Sequence, residues 1–166
     1  MRQLTKDFFI KNTLDVAEKL VWKIIQFWNQ KAMIYEVEAY KWKEDEASHA
    51  FCWKTNRNFP MFDEWWKTYV YLIYWMYYCL NITTDKKDIP WAVLIRWVKL
   101  EDWTLIDWPW RLTRHFWITK EHNNLNITKE NSFIKIFDND QKFNIKSTSR
   151  IWIKKAIDKK RRFIID

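Results

Sequence analysis

Apolar residues recur with helical spacing near the start of the chain. Val16, Ala17 and Leu20 fall on one face of a helix, because an α-helix makes one turn in about 3.6 residues. Thr13 stands just before them, and its hydroxyl is suited to accept a hydrogen bond from a free N–H of the first turn. The pattern predicts a helix over Leu14–Leu20 with Thr13 as its N-cap.

Most of the remaining chain alternates apolar and polar residues or has short apolar runs bounded by polar turns, which is typical of β-strands. The predicted strands are Lys23–Phe27, Ala32–Tyr40, Thr68–Tyr74, Tyr77–Thr83, Ala92–Leu100, Phe133–Phe137, Asn144–Lys146 and Phe163–Ile165. The third and fourth form either a hairpin or one strand bent at Trp75. Short helical segments are predicted at Ala47–Phe51 and Leu112–Phe116, and a charged turn at Asp85–Asp88.

This order of elements indicates one α+β domain over residues 1–166, with a mixed, mostly antiparallel curved sheet and a few helices. The composition is that of a soluble globular protein, with 48% hydrophobic and 30% charged residues. The longest apolar run, Tyr69 to Leu80, is too short to cross a bilayer, and the N-terminus lacks a signal-peptide stretch. Cys52 and Cys79 fit free thiols in a reducing compartment. We therefore expect a cytoplasmic protein.

Charge is unevenly distributed along the chain. The net charge is +8, and the segment from Arg150 to the end contributes +5 of it, with seven basic and two acidic residues. A basic balance favours a polyanionic partner. Two interpretations of this segment stay open: a solvated tail, or contacts with phosphate groups that would make binding salt-dependent.

Glycine is absent from the chain, whereas tryptophan occurs 14 times. An average protein of this length would have roughly 12 glycines. Several tryptophans occupy turn-like places that favour glycine, which takes positive φ without steric cost: Trp108 and Trp110 around Pro109, Trp65 and Trp66 in a polar loop, and Trp42 after a strand. We hypothesise that most of these positions are glycines, for example through UGA codons that mean glycine but were translated as tryptophan. A chain that is truly rich in tryptophan is the alternative.

Candidate chemistry begins at the end of the second predicted strand. Glu36, Glu38 and Tyr40 share one face of that strand, because side chains alternate along it. Two carboxylates and a phenol on one face are costly to bury without a purpose. From these residues alone, a solvent-facing strand edge remains the simpler interpretation.

Further segments follow in order and change this balance. They are Glu44–Ala50, Arg57–Asn58, Met61–Phe62, Tyr69–Asn81 and Ala92–Arg96. Together with Glu36–Tyr40 they resemble the alkyladenine (3-methyladenine) DNA glycosylase family, with its E-T-E-A-Y, E-D-x-A-x-H, R-N-x-x-M-F, Y-V-Y-x-I-Y-G-M, C-x-N and V-L-I-R motifs. Asp107–Thr113, Ile118–Glu121 and Arg150–Ile153 also match, so the resemblance covers nearly the whole chain. Seven tryptophans fall where the family commonly has glycine: Trp42, Trp53, Trp75, Trp108, Trp110, Trp117 and Trp152.

The resemblance implies a role for each matching residue. Glu38 would be the general base that activates a water, and Arg96 would lie near that water and the target phosphate. Tyr74 would be the wedge that enters the duplex. The pocket for the flipped base would be formed by Tyr40, His49, Tyr71, Asn81 and Leu94. Two simpler interpretations stay open, namely core packing for Tyr71 and a hydrogen-bonded strand-end amide for Asn81.

The activity that the resemblance implies is base-excision repair of double-stranded DNA. A damaged purine (3-methyladenine, 7-methylguanine, hypoxanthine or ethenoadenine) would be flipped out and its N-glycosidic bond hydrolysed, without strand cleavage. We expect a monomer in the cytoplasm at the bacterial nucleoid, with no cofactor and no metal. Two rival hypotheses are a non-catalytic nucleic-acid-binding module on the same fold, and a protein that binds lesions without excising them because tryptophan crowds the site.

Overall fold

Antiparallel strands make up most of the fold, which is known here from a computed structural model that describes residues 1–63, 66–86 and 88–166. The strands are β1 (Ile24–Phe27), β2 (Gln30–Tyr40), β3 (Thr68–Ile73), β4 (Tyr77–Thr84), β5 (Trp91–Leu100), β6 (Leu105–Ile106), β7 (Ile134–Phe137), β8 (Ile145–Thr148) and β9 (Arg162–Ile165). The helices are α1 (Lys6–Phe9), α2 (Thr13–Leu20) and α3 (Pro109–His115), with single 3₁₀ turns at Phe59–Met61 and Lys120–His122. This confirms the predicted α+β class.

The main sheet runs in the order β3-β4-β5-β2-β1-β7. Strand β6 pairs with β5, while β9 pairs with β2 and carries β8 on its far side. Strand β9 continues the edge of β2 where β1 ends, because β1 pairs with residues 30–33 of β2 and β9 with residues 36–38. Strands β3 and β4 form a hairpin whose turn is Tyr74 to Met76, which decides between the two predicted arrangements.

Side chains alternate between two faces of the sheet. One face meets α2 and α3 and forms the core with residues such as Val37, Leu80, Ile95 and Leu112. The other face carries a row of neighbours across five strands, which we call the pocket row: Tyr69, Asn81, Leu94, Glu38 and Arg162. The loop between β2 and β3 covers part of this second face, where Ala50, Met61 and Phe62 pack around Tyr69.

A β-bulge in β2 decides which residues reach the pocket face. Ala32 and Ile34 lie in the core before the bulge, and Val37 and Ala39 lie in the core after it. The register against β5 shifts on both sides of Glu36. A bulge reverses the alternation of side chains, and it commonly redirects side chains next to functional sites. The even-numbered residues from Glu36 onward therefore face the pocket.

Three predicted local features differ in the structure. Asn12, not Thr13, caps α2: its side chain accepts the Leu14 N–H, whereas the buried Thr13 hydroxyl bonds the Thr84 hydroxyl at 2.6 Å. The segment Ala47–Phe51 forms turns and bends instead of a helical piece, because the Asp45 and Ser48 side chains bond nearby backbone N–H groups.

The third difference is the position of α3 and of two short elements. Helix α3 begins at Pro109, before the predicted Leu112, because proline suits the first helical turn. Helix α1 and strand β6 were not expected from the pattern. Trp65 of the polar loop and Lys87 of the predicted charged turn lie outside the described residues.

Eight of the described tryptophans have positive φ, from 51° at Trp28 to 72° at Trp108. We call these the turn tryptophans: Trp22, Trp28, Trp66, Trp75, Trp103, Trp108, Trp117 and Trp152. Bulky residues rarely adopt this region, since Cβ meets the backbone there. The finding supports the glycine hypothesis at these positions, including four of the seven that match family glycines. Trp42, Trp53 and Trp110 have no positive φ.

Candidate active site

A cavity of about 1080 Å³ opens on the pocket face of the sheet. Its walls include the predicted pocket residues Tyr40, His49, Tyr71, Asn81 and Leu94, together with Arg96 and the hairpin residues Tyr74 and Trp75. Glu38 lies below them and is fully buried. The structure therefore brings every predicted site residue to one place, although they come from four strands and a loop.

Glu38 has partners at both carboxylate oxygens. Its Oε1 accepts the Ile151 N–H at 2.8 Å and lies 3.5 Å from Nη1 of Arg96. Its Oε2 accepts the hydroxyl of Tyr40 at 2.8 Å. Burial raises the pKa of Glu38 above its usual 4.5, although Arg96, the Ile151 N–H and the Tyr40 hydroxyl act to lower the pKa. A carboxylate of raised pKa is a stronger base, which suits proton abstraction near neutral pH.

Arg96 connects the two carboxylates of β2. Its Nε donates to Glu36 Oε1 at 2.6 Å, and its Nη1 approaches Glu38. Both Glu36 and Arg96 are buried, so the predicted face of Glu36, Glu38 and Tyr40 points into the protein. The solvent-facing strand edge that the short motif alone favoured is therefore wrong.

Aromatic side chains form the wall opposite these charges. The rings of His49 and Tyr71 meet edge to face at 4.5 Å between centroids, and Nδ1 of His49 bonds the Tyr69 hydroxyl at 3.0 Å. Desolvation in the pocket, aided by the charge of Arg57, lowers the pKa of His49 to about 4, although the residue is exposed to solvent. Burial also raises the pKa of Tyr71 well above 10. Both rings are thus neutral at pH 7, as suits stacking against a flat base.

Three residues outside the predicted set contribute to this wall. Tyr69 is buried and holds His49, and the Arg57 guanidinium lies 5.2 Å from the centre of the Tyr71 ring. The buried Cys79 thiol lies beside Tyr71, and burial raises its pKa to about 12, so it stays protonated. The period-2 spacing of Tyr69 with Tyr71 signalled the first of these residues, and the R-N motif contained the second.

Asn81 is 3% exposed, and its side-chain N–H donates to the Tyr69 carbonyl at 3.1 Å. This bond fits the simpler interpretation of a satisfied strand amide, while the residue also lines the cavity. Leu94, its neighbour on β5, is 4% exposed and forms an apolar part of the floor.

The hairpin turn between β3 and β4 projects from the rim. Tyr74 is 71% exposed, Trp75 is 95% exposed and Met76 is 65% exposed. Large apolar side chains at a tip that stands away from the core have no packing role in the described chain. Such a tip has the shape required of a wedge that enters a base stack.

Part of the basic segment from Arg150 makes internal ion pairs, which neither of its two predicted interpretations included. Arg150 donates two bonds of 2.7 Å to the buried carboxylate of Asp45, and Arg161 lies 3.1 Å from the same group. Burial acts to raise the pKa of Asp45, but the bonds from Arg150 and Lys41 dominate and lower it. Arg162 pairs with Glu36 at 3.1 Å. Three of the seven basic residues, Arg150, Arg161 and Arg162, therefore take part in internal ion pairs. Lys154 and Lys155 instead line the cavity.

The Asp45–Arg150 pair also supports the catalytic region. Arg150 bonds the Ala39 carbonyl at 3.1 Å, and its guanidinium lies 4.6 Å from the centre of the Tyr40 ring. The next residue, Ile151, supplies the N–H that binds Glu38. Sequence reasoning assigned no role to Asp45, since nothing in the motif showed which distant residue it meets.

Within the described part of the chain, no group of three or more His, Cys, Asp and Glu residues could hold a metal ion. Across the same residues, no helix has the length and apolar character needed to cross a membrane.

The chain is similar to known proteins over nearly its whole length. The family model for methylpurine-DNA glycosylase (MPG) matches residues 7–166. A protein of Ehrlichia ruminantium is 40% identical over 98% of this chain and 88% of its own length. A protein of Sodalis glossinidius is 38% identical over 96% of this chain and 95% of its own length. A protein of Wolbachia pipientis wMel is 40% identical over 96% of this chain and 89% of its own length. All three carry the name "Putative 3-methyladenine DNA glycosylase".

Proposed function

The chain belongs to the methylpurine-DNA glycosylase family of DNA-repair enzymes, and we propose that it hydrolyses the N-glycosidic bond of alkylated or deaminated purines. The substrates in this proposal are 3-methyladenine, 7-methylguanine, hypoxanthine and ethenoadenine in double-stranded DNA. The observation that carries it is a buried carboxylate of raised pKa, Glu38, whose partners Tyr40 and Arg96 line a cavity walled by neutral aromatic rings.

The proposed reaction uses the groups already placed around the cavity. Tyr74 enters the duplex and the damaged nucleotide turns into the cavity, where His49 and Tyr71 hold its base. Glu38 takes a proton from a water as that water attacks C1′ of the sugar, and the base leaves. The carboxylate also stabilises the positive charge that develops on the sugar ring, as in glycoside hydrolysis. Arg96 acts to lower the pKa of Glu38 and can donate to the water or the phosphate.

The test is a duplex with one hypoxanthine or ethenoadenine, incubated with protein and then treated with alkali. We expect breaks at the lesion with the unaltered chain, and a loss of roughly 100-fold or more with Glu38→Gln, which keeps the size of the side chain but removes the base. Glu18→Gln, on the exposed side of α2, is the matched control and keeps full activity. Equal break yields from the Glu38→Gln and unaltered proteins would contradict the assignment.

The same assay without alkali tests the proposal that the enzyme is monofunctional. A lyase forms a covalent Schiff base through an amine, and Lys154 and Lys155 are the lysines that line the cavity. We expect intact strands before alkali and no product trapped by borohydride. We also propose that the protein works as a monomer at the bacterial nucleoid without a cofactor; a single monomer peak in size-exclusion chromatography checks the first point.

Lesion binding without excision is a second candidate, and one observation favours it. Four tryptophans line the cavity, namely Trp75, Trp108, Trp110 and Trp152, and the rings of Trp108 and Trp152 meet at 5.6 Å. Indoles at this rim narrow the approach of DNA where glycine would admit it closely. Specific retention of a lesion duplex without breaks, together with recovered excision when these positions are glycine, would favour this candidate for the chain as printed.

A further inference from the structure

Glu36 is a buried carboxylate next to the site that the proposed reaction leaves without a task. It is fully buried, and burying an ionised carboxylate is costly unless it is paired. Its Oε1 accepts a hydrogen bond from Nε of Arg96 at 2.6 Å, and its Oε2 accepts one from Nη1 of Arg162 at 3.1 Å. The carboxylate therefore joins one arginine of the site to another outside the cavity.

Arg162 is held in turn at the edge of the pocket row. It stands opposite Glu38 in the pairing of β2 with β9, and its Nε donates to the Thr148 hydroxyl at 2.8 Å on β8. Its side chain is 18% exposed, so it is accessible to water at one end. Two acids and two arginines thus form a chain of contacts, Arg162 to Glu36 to Arg96 to Glu38, whose formal charges cancel.

The geometry of Arg96 depends on Glu36. A guanidinium bound through Nε keeps its two terminal nitrogens free, and here Nη1 points towards Glu38 at 3.5 Å. The β-bulge at Glu36 allows this contact, because the register shift places Glu36 and Arg96 beside each other. The short bond to Glu36 therefore holds Arg96 by its Nε and leaves it only the longer, 3.5 Å contact with Glu38.

We propose that Glu36 and Arg162 are positioning residues of the excision reaction, Glu36 by fixing the guanidinium of Arg96 and Arg162 by balancing the charge of Glu36. This inference rests on the proposed function. The charged and titratable groups around Glu38 are Glu36 and Tyr40 on β2, Tyr71 on β3, Cys79 on β4, Arg96 on β5, Arg150 after β8 and Arg162 on β9. Of these, Glu36 and Arg162 do not line the cavity, and they are connected to Arg96 directly and through Glu36, respectively.

The experiment measures single-turnover excision of hypoxanthine from a duplex at values from about pH 5 to pH 9. Glu36→Gln is expected to slow excision about 100-fold, as a misplaced catalytic group does, with lesion-duplex affinity within about threefold. The acidic limb of its pH–rate profile moves to lower pH, because removing a nearby negative charge favours the ionised form of Glu38. Arg162→Met is expected to slow excision about tenfold and to move the limb to higher pH, while Arg162→Lys, which keeps the charge, stays within about threefold.

The double variant Glu36→Gln, Arg162→Met restores zero net charge to the group of two acids and two arginines. The acidic limb of its pH–rate profile therefore returns to the position of the unaltered protein, while its excision rate stays low. Asp138→Asn is the control, because it breaks the Lys23–Asp138 pair, a 2.6 Å contact made by the far end of the sheet. We expect no change in rate or limb from it. The proposal would be overturned if the acidic limb of the pH–rate profile stayed fixed in both single variants, or moved in the same direction in both. So would loss of lesion affinity with an unchanged rate.

A second measurement does not depend on excision. The Nε–H of Arg96 gives a proton–nitrogen resonance, identified by its disappearance in Arg96→Lys. We expect slow exchange with water in the unaltered protein and exchange at least about tenfold faster in Glu36→Gln; equal exchange rates would refute the role of Glu36. If the unaltered chain excises nothing, the proposed function fails while this measurement still decides the geometry. If Glu36→Gln does not fold, Arg162→Met replaces it in this test, because the side chain of Arg162 is partly exposed. We then expect faster exchange of the Arg96 Nε–H in Arg162→Met than in the unaltered protein.

Discussion

The pocket row lies on five neighbouring strands, whereas the turn tryptophans lie at the ends of strands and helices. In the pocket row all side chains except that of Arg162 are buried, and the polar ones are hydrogen-bonded, as with Glu38, whose two oxygens have three polar neighbours. Among the turn tryptophans, five are at least 70% exposed, and Trp75 reaches 95%. In the pocket row the residue types suit their surroundings. At the turn tryptophans they do not, because a bulky side chain stands where the backbone angle favours glycine.

This difference teaches where each property of the protein resides. The chemistry needs particular side chains at precise separations, and regular strands provide those separations. The turns need particular backbone angles, and no contact of an indole compensates for a positive φ in an exposed turn. Substitutions in the pocket row should therefore change activity, while those at the turn tryptophans should change stability.

The largest expected effect comes from replacing all eight turn tryptophans with glycine. Positive φ costs an L-residue roughly 1–2 kcal/mol, and glycine loses about 0.5–1 kcal/mol through a freer unfolded chain, so the net gain is roughly 0.5–1 kcal/mol per position. Trp22 and Trp66 also lose core contacts, which offset their gain. The sum is about 3–6 kcal/mol for the six positions that do not pack against the core, if they are independent. Denaturant titration measures it, and an unchanged or lower free energy of unfolding would refute the strain at these turns.

The next effect concerns the ion pair behind the pocket row. Asp45→Asn leaves Arg150 with an unpaired buried charge and leaves Arg161 only its 3.5 Å contact with Glu44, and removing one partner of a buried pair costs about 3–5 kcal/mol. Excision should fall as well, because Arg150 holds the segment that supplies the Ile151 N–H. Asp107→Asn breaks the exposed pair with Arg111 and should cost less than about 1 kcal/mol. Thermal unfolding of both variants checks the contrast, which fails if their losses are similar.

A smaller effect separates two exposed tryptophans by backbone angle alone. Trp75 has φ of 62°, while Trp53 is 70% exposed and has no positive φ. Trp75→Gly should raise the free energy of unfolding by about 0.5–1 kcal/mol, and Trp53→Gly should lower it by about the same amount. Chemical denaturation of the two proteins side by side gives the comparison. Shifts of the same sign would show that φ is not the deciding quantity.

The smallest expected effect is the pH dependence that Glu38 confers on stability. Because the pKa of Glu38 is raised in the folded state, folding favours its protonated form. Its contribution is full below the unfolded pKa near 4.5 and is lost as the pH rises through the folded value. Glu38→Gln should therefore match the unaltered protein in acid and exceed it at neutral pH, while excision is lost. Unfolding measured across this range tests it, and a less stable variant at neutral pH would contradict the direction.

Much of the fold could be predicted from the sequence because strand alternation is local. The strands β2 and β5 and the hairpin of β3 and β4 follow from apolar spacing within about ten residues. The N-cap of α2 was misplaced because Thr13 and Asn12 are both suitable caps, and only the contact with Thr84 shows that Thr13 is used elsewhere. The phase change from Ala32 and Ile34 to Val37 and Ala39 marked the bulge, although it was not interpreted in that way.

The candidate site divides in the same way. The residues Glu38, Tyr40, His49, Tyr71 and Arg96 were identified by motifs that stand in order along the chain. Their partners were not, because Glu36 meets Arg96 and Arg162 at separations of 60 and 126 residues, and Asp45 meets Arg150 at 105. No local pattern encodes which distant strand closes the sheet, so the charged tail was expected to face solvent or phosphate.

The sequence by itself determined the family, most of the strands of the sheet, and the shared face of Glu36, Glu38 and Tyr40. The tertiary structure alone decided that this face is buried, that β9 completes it with Arg162, and that tryptophan stands at eight positive-φ turns. The physical reason is one of range. Alternation and residue type act between neighbours in the chain, whereas burial, pairing of charges and backbone angle at a turn are set by elements that meet only after folding.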